Sequence, residues 1–166
     1  MAIRIRKLTL WRTEVAHRPG ALAELLDPLA AAGADLQVVM GYRLPGETAR
    51  AVVEVAPITS RRAALAAENA KLVPGGAPAL QVLGENRPGL ANRIARALAE
   101  SRVNIAFLVA QVVGKRYSAV FGFENEADLD KAVDRIRAAV VARPISRTPS
   151  RPSGARPRAR SRAPTR

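Results

Sequence analysis

At 166 residues with a 48% hydrophobic share, the chain can form one ordinary domain or two small ones, each with a modest core. It has no Cys, which excludes a disulfide framework, a thiolate metal site and a Cys nucleophile. The net charge of +13 is unevenly spread: the segment 143–166, "RPISRTPSRPSGARPRARSRAPTR", holds eight Arg, five Pro and no acid, and leaves only +5 for 1–142.

Aromatic residues make up 4% of the chain, so the core must come from Leu, Ile, Val and Ala in small layers rather than a large barrel. The first residues, "MAIRIRKLTLWR", carry Arg4, Arg6, Lys7 and Arg12 and no apolar run of signal-peptide length. They read as a basic arm on a protein that is not exported. No stretch approaches the roughly 20 apolar residues that cross a bilayer, so the expectation is a cytoplasmic protein without membrane insertion.

In chain order, Trp11, Thr13 and Val15 alternate as in a strand and are followed by "HRPG" and a helical pattern. The segment 36–44, a Pro45-Gly46 turn and the segment 48–55 then read as two strands. A helix over 59–71 comes next, with Leu65 as its only large apolar residue. The pattern then starts again. "ALQVLG" is strand-like, and could complete a first sheet or begin a second; "NRPG" leads into a helix whose stripe is Leu90, Ile94, Ala97 and Leu98. The run "VNIAFLVAQVV" and the segment 117–123 flank a turn at Gly114-Lys115-Arg116. A last helix is capped by Asn125, starts with Glu126 and Asp128, and carries Leu129, Val133, Ile136 and Val140 on one stripe.

Placing Pro19 on Pro88 gives an offset of 69 that runs from Thr13 on Val82 to Val55 on Glu124 without a gap. The order of patterns repeats, so the fold class is α+β: two ferredoxin-like β-α-β-β-α-β units in tandem, antiparallel sheets with helices on one face. The boundaries are 1–76 for the first unit with its basic arm, 77–142 for the second, and 143–166 for a disordered Arg/Pro/Ser-rich tail.

The motif "ENRPGLANRIARALAESRVNI", a strand end, Pro-Gly, a helix and a Val-Asn-Ile lead into the next strand, resembles the turn of a free-standing tandem ACT-domain protein. The likeness covers roughly 8–142 and is fullest in the second unit. It implies a regulator, not an enzyme, that binds an amino-acid-like effector at the strand-to-helix turn and the interface between paired domains. It implies no cofactor and no metal, and a second copy of the chain or a regulated protein as partner. The chemistry of the turn agrees. The first amides of a helix lack intrahelical partners and can hold a carboxylate. Gly89 allows close approach, Leu90 and Ala91 offer amides, Asn86 can hydrogen-bond an amine or carboxylate, and Arg87 can pair with an acid. By the resemblance, Asn104 and Ile105 form the opposite wall. A weaker second site comprises His17, Arg18, Gly20, Ala21, Asp35 and Leu36. There His17 replaces the usual Asp or Asn, Pro28 interrupts the helix, and Asp35 aligned with Asn104 repels a carboxylate.

Two other classes find less support in the residues. One His, no Cys and no Ser-His-acid arrangement give an enzyme no paired nucleophile, and Asp130 and Asp134 fall on the outer face of a helix. "KRYSAVFGF" distantly echoes an RNA-recognition strand, but Tyr117, Phe121 and Phe123 share one face and read as core beneath helices. Nucleic acid or an acidic partner remains the alternative for the tail alone.

Overall fold

The computed structural model describes residues 3–141, so the tail, expected to be disordered, lies outside the described residues. Within them the elements are β1 (Arg4–Leu8), β2 (Trp11–Ala16), α1 (Ala21–Ala31), β3 (Val38–Tyr42), β4 (Arg50–Ala56), α2 (Arg61–Asn69) and β5 (Val73–Pro74). They continue with β6 (Ala79–Glu85), α3 (Leu90–Glu100), β7 (Phe107–Val113), β8 (Arg116–Gly122) and α4 (Glu126–Val141).

The helices form where apolar residues recur at helical spacing. Leu90, Ile94 and Leu98 are all buried on α3, and on α4 Leu129, Ala132 and Ile136 are buried with Val133 and Val140 packed against the same core. Asn125 caps α4, its Oδ1 accepting from the Asp128 amide at 2.8 Å. Pro28 does not stop α1 at once; the helix runs three residues further to Ala31. Helix α2 is shorter than its pattern, and its buried residues are Ala63 and Ala67, while Leu65 is 52% exposed. With so little apolar anchoring, its start depends on Ser60, whose Oγ accepts from the Ala63 amide at 3.1 Å. Ser60→Ala is expected to cost about 1 kcal/mol, read as an earlier urea midpoint of Trp11 fluorescence with an unchanged slope.

Two four-stranded antiparallel sheets result, ordered β3-β4-β2-β5 and β1-β6-β8-β7. The first unit is complete in itself: β5, paired with β2 at Trp11 and Arg12, supplies its last strand. The second unit begins at β6, and its remaining edge place is filled by β1 from the other end of the described chain. The "basic arm" of the sequence reading is therefore a strand of the second sheet. Arg4 to Leu8 pair with Leu83 to Ala79, so the first unit is inserted between two adjacent strands of the second. The alternation Ile3, Ile5 packs on the helix side of that sheet, while charged residues between them hide the strand from a pattern search. Lys7, also on β1, reaches Asp130 of α4 at 2.6 Å, so Asp130 is paired rather than merely solvated.

The gapless offset of 69 holds for α1 on α3 and for the start of β3 on β7 but not beyond. Ala56 pairs with Val38, and Gly122 pairs with Phe107, so β4 maps onto β8 with an offset of 66, and the structural counterpart of Val55 is Phe121 rather than Glu124. The cause is the hairpin: Gly114 and Lys115 form a two-residue turn with Gly114 at φ 59, where the first unit uses the longer loop 43–49.

Each sheet carries its helices on one face. Leu80, Val82, Tyr117, Ala119 and Phe121 pack with α3 and α4, together with Phe123, so the three aromatics of the RNA-like strand are core. Trp11, Val53 and Val55 pack with Leu25, Leu29, Ala67 and Leu72 in the first unit. A third cluster joins the units: Leu8, Ala79, Val120 and Phe107 from one open sheet face meet Val38, Met40 and Ala56 from the other. Beside it the Arg6 guanidinium donates to Gln81 Oε1 at 2.6 Å and also to Gln37 Oε1, tying the two sheets together. Gln81 is buried, so this bond satisfies a polar group removed from water.

Candidate functional site

Both strand-to-helix turns are built alike. Gly89 precedes α3 at φ 78 and Gly20 precedes α1 at φ 86, left-handed values that a residue with Cβ adopts only with strain. No side chain caps either helix. Asn86, which a capping role would aim at the helix, instead has its backbone amide on the Lys115 carbonyl at 2.8 Å, fixing the turn to the β7–β8 hairpin. The Leu90 amide, expected to be open to a ligand, donates to the Arg87 carbonyl at 3.0 Å and its side chain is buried, so Leu90 anchors the turn; helix geometry leaves the Ala91 and Asn92 amides without intrahelical acceptors. Arg87 is 60% exposed on its side chain and 4.0 Å from Glu85, a solvated pairing that leaves the guanidinium available.

Beneath this end of the sheet lies a core residue whose polar end the residue pattern does not account for. Tyr117 stands opposite Gly84 in the β6–β8 register, is 4% exposed, and its hydroxyl has no hydrogen-bond partner among the described residues. Burial pushes its pKa above the usual tyrosine value. A buried hydroxyl without a partner costs free energy that a bound polar group would offset.

Asn104 and Ile105 lie elsewhere. Asn104 Nδ2 donates to Glu124 Oε1 at 3.0 Å, and Ile105 packs against the helix-side core. Both precede Phe107, which pairs with Gly122, whereas the turn follows Glu85, which pairs with Arg116 at the other end of β8. Seven residues of strand separate the two ends, about 20 Å. One chain therefore keeps the two walls of the expected second-unit site at opposite ends of its sheet.

The first unit repeats this separation. His17 and Arg18 follow the end of β2, where Ala16 pairs with Arg50, while Asp35 and Leu36 precede β3 at the other end. His17 donates its amide to the Ala49 carbonyl at 2.9 Å. Arg18 is committed to Glu24 in a two-pronged pair, Nη1–Oε1 2.8 Å and Nη2–Oε2 2.5 Å, which holds the Glu24 carboxyl below its usual pKa and raises that of Arg18. A cavity of about 260 Å³ adjoins the pair, lined by Val15, Ala16, Arg18, Ala21, Glu24, Leu25 and Ala70. A ligand carboxylate there would have to compete with Glu24 for Arg18. Among the described residues no group of three or more His, Cys, Asp and Glu is arranged to hold a metal ion, and no helix is long and apolar enough to cross a membrane.

Two ferredoxin-like units with uncapped glycine turns define a class of small α+β modules. The sequence model of the ACT domain matches residues 79–141, the whole continuous part of the second unit. The continuous part of the second unit thus matches the ACT-domain family, and the chain is a tandem of two ferredoxin-like units. No curated protein matches the chain. Among solved structures it is similar to protein BT0572 from Bacteroides thetaiotaomicron, with TM-score 0.64 and 15% identity over 82% of this chain and 89% of that one. It is similar to the regulatory subunit of aspartate kinase from Thermus thermophilus, with TM-score 0.57 and 15% identity over 84% and 97%. Clostridium acetobutylicum aspartate kinase matches with TM-score 0.54 and 16% identity, this chain covering 34% of that enzyme. These likenesses establish the tandem fold.

Proposed function

We propose that the protein is a non-catalytic regulator that binds a small amino-acid-like effector at the turn before α3. The observation that carries the reading is a helix opening on left-handed Gly89 without a side-chain cap, at the same sheet end as a buried, unpartnered Tyr117 hydroxyl. The open amides suit a carboxylate. Arg87 suits an acidic group, and Asn86 can take either end of an amino acid. The similar regulatory subunit of aspartate kinase supports the reading at the level of architecture. Binding would act by population shift, favouring whichever arrangement of units completes the site.

The turn before α1 is the lesser site because Glu24 already occupies Arg18. A thermal-shift screen of the twenty amino acids against the full chain tests the reading. One amino acid is expected to raise the melting temperature by several degrees, since a ligand at about 100 times its Kd stabilises by about 2.7 kcal/mol. Gly89→Val is expected to abolish the shift and Arg18→Ala to leave it. A flat response across the panel would overturn the effector reading, and a shift lost in Arg18→Ala but kept in Gly89→Val would move the site to the first unit.

A further inference from the structure

The outer groove between α3 and α4 gathers positive charge that the packing of the second unit does not use. On α3, Arg93, Arg96, Ala97 and Glu100 share one face at helical spacing, and on α4 Arg135, Ala138 and Ala139 do the same. Together with Ser101 they line a groove of about 380 Å³. The large apolar residues of both helices, Ile94, Leu98 and Ile136, turn into the core. Alanine at 97, 138 and 139 leaves room where longer side chains would fill the groove.

The three arginines face this room with donors to spare. Arg93 Nε is cut off from solvent and has no hydrogen-bond partner among the described residues. Arg96 commits only its Nε, to Asn92 Oδ1 at 3.1 Å. Arg135 makes no hydrogen bond or ion pair among the described residues, although Arg137 on the same helix reaches Asp134 at 3.9 Å. Glu100 is the one acid in the lining and pairs with none of them. The Ser101 hydroxyl donates to the Ala97 carbonyl at 2.8 Å, so the guanidiniums are the donors left to the groove. The corresponding groove of the first unit, between α1 and α2, is different. There Arg62 donates to the Ala31 carbonyl at 2.7 Å, and Leu65 and Pro28 supply apolar lining. Uncommitted arginine is therefore a property of the α3–α4 groove and not of the fold.

Like charges gathered without an acid repel one another, and a donor shut away from water without an acceptor costs free energy. An anion seated among the three arginines offsets both. A carboxylate brings one charge and two oxygens. A phosphate monoester brings about −1.5 to −2 at neutral pH and three acceptor oxygens, the better match to several guanidinium forks. The volume is that of a site for a whole small molecule, with the organic part along the alanines. We propose that the α3–α4 groove binds a small phosphorylated molecule, its phosphate held by Arg93, Arg96 and Arg135. The site is separate from the turn before α3 and does not depend on the function proposed above.

The test is a titration of the full chain with phenyl phosphate, followed in nitrogen–proton spectra. The amides of residues 93–101 and 135–139 are expected to shift and saturate. Benzoate, with the same ring and one carboxylate, is expected to bind at least about tenfold more weakly. Arg93→Gln is expected to weaken phenyl phosphate by at least about tenfold, the effect of losing one hydrogen bond to a charged group. Arg135→Gln, at an exposed position whose loss leaves the core intact, is expected to weaken it several-fold and keeps the test decisive if Arg93→Gln disturbs the fold. The double variant Arg158→Gln and Arg160→Gln removes charge from the segment 143–166 and is expected to leave the Kd unchanged. Absence of saturable shifts in the groove, equal affinity for benzoate, or affinity kept in both Arg93→Gln and Arg135→Gln would overturn the proposal.

Discussion

Deleting residues 1–8 is expected to unfold the second unit and leave the first folded. The sequence places this segment next to the first unit, but β1 pairs with β6, along Ala79 to Leu83. The deletion removes Ile3 and Ile5 from the helix-side core and Leu8 from the cluster between the units. Burying three such side chains contributes about 5 kcal/mol, comparable to the whole stability of a small domain. It also opens β6 as a new apolar edge. The only Trp, Trp11, lies in the first unit's own core, so its fluorescence reports on that unit separately. The expected result is a native Trp11 signal together with collapsed amide dispersion for 79–141 in nitrogen–proton spectra. A fragment of 77–141 alone should fail in the same way. A permuted fragment, 77–141 joined by a short linker to 3–8, should fold, because β1 then follows α4 as the sixth element of the unit. Native spectra from 77–141 without β1 would show that the strand is dispensable.

What the sequence made legible follows from how locally each feature is specified. The helix α3 was readable because three large apolar residues and the Pro-Gly turn lie within eleven positions of one another. The aromatics of β8 were correctly placed in the core because period-two alternation fixes their common face. The membership of β1 was not readable, since nothing in "RIRKL" states which of two sheet edges it will pair with, and the choice depends on a partner some seventy residues away. The same limit applies to the hairpin offset: a gapless repeat keeps letters in phase, but Gly114-Lys115 and the loop 43–49 differ in length, and hydrogen bonding follows the turn. The candidate site was half legible. Gly89 and its helix amides sit where the pattern put them, while Asn104 was assigned to the same site by resemblance, and a strand's length stands between them. Tyr117 was identified as core, but the lack of a partner for its hydroxyl is a property of the packed layer and has no sequence signature.

Gly122→Ala is the single substitution expected to do most damage to the second sheet. Gly122 pairs with Phe107 across β7 and β8, and a Cβ at that position would lie 2.0 Å from Phe107 Cε1 and 2.2 Å from Cδ1. The ring lies over the glycine because the position has no side chain, and it cannot easily withdraw, because its far side packs against the cluster of Leu8, Val38, Met40 and Val120 that joins the units. Relief must come from a shifted strand or an unfavourable rotamer. Overpacking of this kind costs about 1–3 kcal/mol, which in a chain of this size lowers the melting temperature by roughly 3–10 °C. The mechanism is specific to one contact, so it predicts coupling. Phe107→Ala alone should destabilise by loss of packing, and adding Gly122→Ala in that background should cost little more, giving an interaction free energy of about 1 kcal/mol or above. Equal costs for Gly122→Ala in both backgrounds, measured by urea unfolding, would show that the glycine is needed for its backbone rather than for the ring above it.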